Sequence, residues 1–197
     1  PLMRTFLLAT TNPHKVREVR DLLHGTDVQV APLDLTGIAE PEETGTTFDA
    51  NARLKALYYA RHAAGPVVAE DSGLEIDALH GAPGVHSARF LGASATYAAR
   101  FAEILHRLEG VPDARRSARF VCALAVAEGG RILFEARGVV EGRIAHAPAG
   151  DGGFGYDPIF HVPDFGCTLA EAGALKATVS HRAQAVPAFP HWAGGVR

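Results

Sequence analysis

Two adjacent carboxylates, Glu70 and Asp71, follow the apolar run 67–69 and precede Ser72 and Gly73. A short apolar run of this kind predicts a buried strand, which would bring both carboxylates to its carboxyl end, where open α/β sheets bind ligands. Like charges side by side repel unless a cation shares them, and hard oxygens suit Mg²⁺, with Mn²⁺ as the alternative. Asp, Ser and Gly also form turns, so this motif alone leaves a metal site and a structural turn equally open.

A second polar segment, 10–15, has the composition of an anion site. Its residues are Thr10, Thr11, Asn12, Pro13, His14 and Lys15. A strand is predicted before it, and Pro13 opens a helix to His24 with one apolar face, so the segment is a strand-to-helix loop. Backbone N–H groups at the helix start and the Lys15 ammonium would then suit a phosphate. A plain N-cap with a surface lysine is the alternative interpretation.

An acidic loop lies directly before the next predicted helix, 47–64. It holds Glu40, Glu42 and Glu43. Such a run is usually a solvated surface. Asn51 and Lys55, however, are four residues apart on the predicted helix and share one face of it. Carboxylates beside that face are suited to a metal-bound polyphosphate.

A glycine-rich segment, 148–158, has four glycines within positions 150–155. Glycines let a backbone pass close to a ligand, and the rings of Phe154 and Tyr156 offer flat faces for stacking on a base. A purely structural loop is the other possibility. Further along, Lys176 and Ser180 would be neighbours on a helix, followed by His181 and Arg182.

The elements that must position these residues predict an α/β fold. A half-exposed strand is expected at 74–79, a helix from Ser94 or Thr96 to Leu108, and two long strands at 117–128 and 131–144 joined by a glycine hairpin. Long antiparallel strands after a βαβ-like start predict a mixed twisted sheet with two lobes around a central nucleotide-binding cleft. The whole chain, 1–197, is expected to form this single domain.

Composition excludes several function classes. The 197 residues carry a net charge of −3, with 47% hydrophobic and 21% charged residues, so no basic field is available for nucleic acid. No apolar stretch reaches the roughly 20 residues of a membrane helix. Cys122 and Cys167 are too few for a disulfide framework or a zinc site, and Cys122 is expected to be a buried free thiol. We therefore expect a cytoplasmic protein with no membrane or nucleic-acid partner.

The ordered motifs together resemble the inosine triphosphate pyrophosphatase family, whose members hydrolyse dITP, ITP and xanthosine triphosphates. The likeness extends from about residue 6 to residue 185. The segments that carry it are 9–15, 42–45, 51–56, 70–74, 81–84, 153–158 and 180–182. No single motif is specific, but the ordered set is.

The resemblance implies a homodimer that uses Mg²⁺ to cleave a purine nucleoside triphosphate into the monophosphate and pyrophosphate. Asp71 is implied as the catalytic residue and a metal ligand, with Glu42 or Glu43 as a second ligand. The implied substrate contacts are Thr10, Thr11, Asn12, Pro13, His14, Lys15, Lys55, Ser72, Phe154, Gly155, Tyr156, Asp157, Lys176, His181 and Arg182. A 6-oxo purine would be recognised by Arg182 or by a backbone N–H.

Two departures from the family pattern and two rival functions stand beside this interpretation. Residues 172–175 lack the acidic residues usual in the family, which puts the reach of Lys176 in doubt. The tail 187–197 is broken by prolines and is not expected to be a helix. The rivals are a related nucleotide pyrophosphatase that acts on other modified nucleotides, and a nucleotide-binding module that does not hydrolyse its ligand.

Overall fold

The structure is a computed structural model that describes residues 3–195. Its strands are β1 (Arg4–Leu8), β2 (Val28–Pro32), β3 (Val67–Ile76), β4 (Ser117–Glu128), β5 (Arg131–Ile144), β6 (Phe160–Val162) and β7 (Cys167–Thr168). Its helices are α1 (Pro13–Leu23), α2 (Phe48–Ala60), α3 (Tyr97–Arg107), α4 (Lys176–Val179), α5 (His181–Ala185) and α6 (Ala188–Gly195). Short 3₁₀ turns connect several of them.

The seven strands form one mixed sheet in the order β2-β1-β3-β4-β5-β6-β7. β1 pairs in parallel with β2 and β3, whereas β6 pairs antiparallel with β5 and β7. Gly129 and Gly130 connect β4 to β5 with positive φ angles of 56° and 77°, which a two-residue hairpin requires. The predicted mixed α/β sheet is confirmed, while the cleft stays a prediction.

The chain divides into two compact units. The first contains the described residues up to Asp71, the segment Cys122–Gly138 and the described residues from His181 onward. Its apolar core joins β1, β2, α1 and α6. The buried side chains of this core are Phe6, Leu8, Val19, Leu23, Val28, Val30, Val68, Leu124, Val126, Val186, Phe189 and Ala193.

The second unit contains Ser72–Val121 and Val139–Ser180. Its core is built on α3 and on the parts of β3, β4 and β5 that belong to this unit. The buried side chains are Leu74, Ile76, Ile104, Leu108, Ala118, Phe120, Val140, Ile144, Tyr156, Ile159, Phe160, Val162 and Leu169. The division of the chain thus falls directly after Asp71.

Strand β3 differs from its prediction. The sequence predicted a strand with both carboxylates at its carboxyl end and a separate strand at 74–79, but β3 is one strand of ten residues that ends at Ile76. Leu74 and Ile76 are fully buried, so tertiary packing continues the strand through Gly73. β1 pairs only with Val67 and Val68 of β3, so the two carboxylates lie beyond the end of β1. They therefore lie inside a strand, not in a turn.

The carboxyl-terminal tail was predicted wrongly as well. α6 forms despite Pro190, because that proline lies in its first turn, where no N–H is required for a helical hydrogen bond. Phe189 and Ala193 bury this helix in the first core. Residues 196 and 197, also part of that prediction, lie outside the described residues. Between residues 3 and 195, no helix is long and apolar enough to cross a membrane.

Candidate active site

The Asp71 carboxylate and the Glu43 carboxylate meet at one ammonium group. Lys55 Nζ lies 2.8 Å from Asp71 Oδ1 and 2.8 Å from Glu43 Oε1. Lys55 projects from α2 and Glu43 from the loop before it, so three separate segments contribute. The side chains of Asp71, Glu43 and Lys55 are 9–19% exposed, so solvent can reach all three. The predicted acidic loop therefore does lie beside Asp71.

Asn51 holds this arrangement in place. Its amide nitrogen donates to Asp71 Oδ2 at 3.2 Å, and its amide oxygen accepts from the backbone N–H of Gly45 at 2.8 Å. Asn51 is fully buried and lies one helical turn before Lys55. The predicted shared face of Asn51 and Lys55 is confirmed, and Asn51 ties the acidic loop to the Asp71 carboxylate.

Burial and charge act on Asp71 in opposite directions. Burial raises the pKa of the Asp71 carboxyl, and the nearby Glu43 adds to this, while Lys55 opposes it without cancelling it. Burial would lower the pKa of the Lys55 ammonium, but Asp71 and Glu43 outweigh it and raise that pKa. The metal-free site therefore combines a paired cation, Lys55, with a carboxylate whose pKa is raised.

The two carboxylates fit a hard divalent cation. Their oxygens converge on the position of a single cationic nitrogen, and Mg²⁺ is commonly held by one or two carboxylates together with substrate phosphates and water. Within residues 3–195, no group of three or more His, Cys, Asp or Glu side chains could hold a metal alone. Glu42, the alternative ligand, is exposed. Glu43 is therefore the better candidate of the two.

Glu70 forms its described ion pairs with cations other than Lys55, contrary to the expectation that Glu70 and Asp71 share one cation. Consecutive side chains of a strand point to opposite faces, and Glu70 meets a different set of partners. Arg182 donates from Nε to Glu70 Oε2 and from Nη2 to Oε1, both at 2.8 Å. Lys15 Nζ lies 2.8 Å from the same Oε1. Each of the adjacent carboxylates thus forms its closest ion pairs with different cations, although the charge of Lys15 also acts to lower the pKa of Asp71.

This second cluster is more deeply buried than the first. The side chains of Glu70 and Arg182 are each 1% exposed. Burial would raise the pKa of Glu70, but Arg182 and Lys15 hold it well below its ordinary value. The Cys122 thiol donates to Glu70 Oε2 at 3.5 Å, and burial raises its pKa well above the ordinary value. The prediction of a buried free thiol at Cys122 is confirmed.

The loop 10–15 caps the amino-terminal end of α1 through Asn12, as the alternative interpretation predicted. Asn12 Oδ1 accepts from the N–H groups of His14 and Lys15, at 2.9 and 3.4 Å. Two of the N–H groups expected for an anion are therefore already capped. Thr10 accepts from the N–H of Asn12, whereas Thr11, Pro13 and His14 are exposed. Lys15 is not a surface lysine, since it turns toward Glu70.

Helix α5 approaches β5 closely, which no pattern in the sequence predicted. A Cβ atom at Gly138 would lie 2.0 Å from the carbonyl oxygen of His181 and 2.7 Å from the backbone nitrogen of Ala185. Only a glycine therefore permits this contact. Arg182 also donates to Glu18 Oε2 of α1 at 2.9 Å, so α5 is fastened to α1 as well. Glu18 and Glu70 are contacts of Arg182 that sequence reasoning missed.

In the second unit, Asp157 organises the glycine-rich segment. Its Oδ2 accepts from the N–H of Phe154 at 2.8 Å and from Lys176 Nζ at 2.7 Å. Lys176 Nζ also lies 4.7 Å from the centre of the Phe154 ring. Asp157 itself is only 2% exposed, and its carboxylate holds the backbone of Phe154 and the ammonium group of Lys176 in place. Lys176 reaches this cluster despite the altered segment before it.

The stacking face predicted at Tyr156 is wrong. Tyr156 is 3% exposed and belongs to the second core, and its hydroxyl donates to the carbonyl oxygen of Ser87 at 2.7 Å. Phe154 is partly exposed, so stacking of its ring on a base remains a prediction. Gly155 has a positive φ of 66°, and Ser72 lies in β3, partly buried. The direct substrate contacts predicted for Gly155, Ser72 and the remaining residues stay predictions.

Comparisons with known proteins agree over nearly the whole chain. The model of the Ham1 family matches residues 6–192. A dITP/XTP pyrophosphatase of Geobacillus kaustophilus is 47% identical over 186 residues, covering 93% of this chain and 91% of that protein. One of Gloeobacter violaceus is 50% identical over 188 residues, covering 94% and 92%. The solved structure of a HAM1 protein from Coxiella burnetii superposes with a TM-score of 0.88 at 39% identity, covering 98% of this chain and 100% of that one.

Proposed function

The chain belongs to the Ham1 family, and on that premise we propose how its residues carry out the reaction. It is a nucleoside triphosphate pyrophosphatase that hydrolyses non-canonical purine nucleoside triphosphates of the dITP and XTP type. The resemblance to the inosine triphosphate pyrophosphatase family is confirmed by these relatives. Water and the triphosphate give the nucleoside monophosphate and pyrophosphate.

Asp71 is the residue that acts on the attacking water. Its carboxylate accepts a proton from that water as the oxygen attacks in line and the α–β phosphoanhydride bond breaks. In the metal-free protein, burial raises the pKa of Asp71 above that of an exposed aspartate. Asn51 fixes the orientation of the carboxylate through its hydrogen bond to Oδ2. The observation that carries this proposal is the convergence of Asp71 and Glu43 on Lys55.

Asp71 and Glu43 would also hold the divalent cation, which we propose to be Mg²⁺ or, alternatively, Mn²⁺. Such an ion neutralises phosphate oxygens and lowers the pKa of a bound water. Lys55 lies against the same two carboxylates, so its ammonium can pass from them to the phosphates when substrate arrives. Lys15 supplies a second cation. Both lysines stabilise the negative charge that grows on the phosphates during bond cleavage.

Base recognition would depend on the Phe154 ring and on hydrogen-bond donors directed at the 6-oxo group. Adenine carries an amino group at that position, so a donor would face a donor, at a cost of about 1–3 kcal/mol for each unsatisfied group. The side chain of Arg182 is 1% exposed and its guanidinium is held by the carboxylates of Glu70 and Glu18, which supports a positioning role for it rather than the predicted base contact.

A nucleotide panel tests the function. We expect monophosphate and pyrophosphate from dITP, ITP and XTP in the presence of Mg²⁺, and turnover of ATP lower by about tenfold or more. Equal turnover of ATP and ITP would contradict the base discrimination. Faster turnover of dTTP or dUTP than of dITP would favour an enzyme for other nucleotides. Binding of dITP without release of pyrophosphate would favour a module that does not hydrolyse its ligand.

Homodimer formation and a cytoplasmic location complete the proposal. The first rests on the family resemblance and the second on composition. Light scattering of the purified protein across a concentration series tests the dimer, and a mass of one chain at all concentrations would exclude it.

A further inference from the structure

One carboxylate joins two segments that are far apart in the chain. Glu70 receives Arg182 from α5 through both of its oxygens and Lys15 from the start of α1 through Oε1, all at 2.8 Å. Arg182 in turn bonds to Glu18 of α1 at 2.9 Å. The predicted phosphate ligand Lys15 and the residue Arg182 are therefore held by the same side chain.

Glu70 is too deeply buried to touch a substrate. Its side chain is 1% exposed, and both carboxylate oxygens already accept charged hydrogen bonds. A buried ion pair contributes little net stability compared with apolar residues of the same size, because the desolvation of the charges offsets their attraction. Core packing alone therefore gives little reason for an ion cluster at this position.

We propose that Glu70 is a positioning residue, which sets Lys15 for the phosphates and Arg182 on α5 through one shared carboxylate. This inference rests on the proposed function, because it assigns Lys15 to the pyrophosphate half of the substrate. The long lysine side chain has many rotamers, and a fixed partner removes that freedom before the ligand binds.

A simple neutralising role makes the opposite prediction. If Glu70 only offset positive charge, its replacement by glutamine would leave Lys15 more attractive to anions, and pyrophosphate would bind more tightly. If Glu70 positions Lys15, the same replacement frees the lysine, and pyrophosphate binds more weakly. The sign of the change in affinity separates the two roles.

The test is calorimetric binding of pyrophosphate to the full chain with Mg²⁺ present. We expect Glu70→Gln to weaken binding by about tenfold, and Glu70→Asp, which keeps the charge, to recover part of the loss. Glu18→Gln removes the other carboxylate of Arg182 without touching Lys15, so pyrophosphate affinity should stay within about twofold. Glu135→Gln, which breaks only the exposed ion pair with Arg53, is the matched control for a lost glutamate charge.

If Glu70→Gln does not fold, the double variant Glu70→Gln/Arg182→Met replaces it. The double variant removes both charges of the buried ion pair and still leaves Lys15 without its Glu70 partner. It should show the same loss of pyrophosphate affinity. Unchanged or tighter binding in a folded variant would overturn the inference while dITP hydrolysis by the unaltered protein still stands. An unaltered protein that neither hydrolyses dITP nor binds pyrophosphate would overturn the proposed function and this inference with it.

Discussion

Glu70 and Asp71 are neighbours in the chain but lie in different electrostatic surroundings on the two faces of β3. Glu70 is enclosed by two cations, and its pKa lies well below the ordinary value. Asp71 shares one ammonium with another carboxylate, and burial raises its pKa. Because side chains alternate along a strand, Glu70 is a buried carboxylate paired with two cations, whereas Asp71 is a partly exposed carboxylate with a raised pKa. Chemical type alone does not assign a role; the partners on each face do.

Removing the Asp71 carboxylate should give the largest effect. In Asp71→Asn we expect kcat for dITP to fall by about 10²–10⁴-fold, since the base that accepts the proton is lost. Release of pyrophosphate measures the rate. Asp77→Asn is the control, because Asp77 is a half-exposed partner of Arg119. Retention of most of the activity by Asp71→Asn would refute the assignment of roles to the two faces.

The acidic loop allows a sharper test of the Asp71 face. Glu43→Gln should raise the Mg²⁺ concentration for half-maximal activity by about tenfold, because one of the two proposed ligands is lost. Glu42→Gln, one residue earlier and exposed, should change it by less than about twofold. A magnesium titration of dITP hydrolysis decides between them. Equal effects, or a larger one at Glu42, would show that the contact with Lys55 does not mark the metal ligand.

The smallest effect is the pH dependence of stability in the metal-free protein. The lowered pKa of Glu70 stabilises the folded state above the ordinary value of 4.5, and this contribution is lost as pH falls through the folded value. The raised pKa of Asp71 has the opposite sign, so its contribution is gained as pH falls. Between about pH 7 and about pH 3, the loss of unfolding free energy should be shallower in Glu70→Gln and steeper in Asp71→Asn.

Urea unfolding at each pH measures these slopes. Glu128→Gln, at an exposed position at the end of β4, should keep the slope of the unaltered protein. If Glu70→Gln and Asp71→Asn changed the slope in the same direction, the two faces would not differ in the way described above.

Much of this arrangement follows from local pattern. The ranges of β4 and β5 agree with their predictions at both ends, because long apolar strands around a glycine pair leave few alternatives. The shared face of Asn51 and Lys55 followed from helical spacing. The separation of Glu70 from Asp71 could also have been foreseen, since strand alternation sends consecutive side chains apart. The expectation that one cation would be shared by both carboxylates concealed it.

Other features depended on contacts that no short segment contains. The buried ring of Tyr156 is decided by the second core and by Ser87, far away in sequence. The partners of Arg182 come from α1 and β3, more than one hundred residues before it. Helix α6 is stabilised by packing against β1, which compensates for its weak local propensity. Long-range contacts of this kind are invisible to periodicity.

The absence of a side chain at Gly138 determines which substitutions this protein tolerates at that position. A single methyl group there would collide with the backbone of α5 and shift His181 and Arg182 away from their partners. A screen of random substitutions for lost activity would therefore register position 138 as strongly as a site that touches the nucleotide, although it carries no functional group. Gly65, where a methyl group would meet no atom within 4 Å, should accept alanine freely in the same screen.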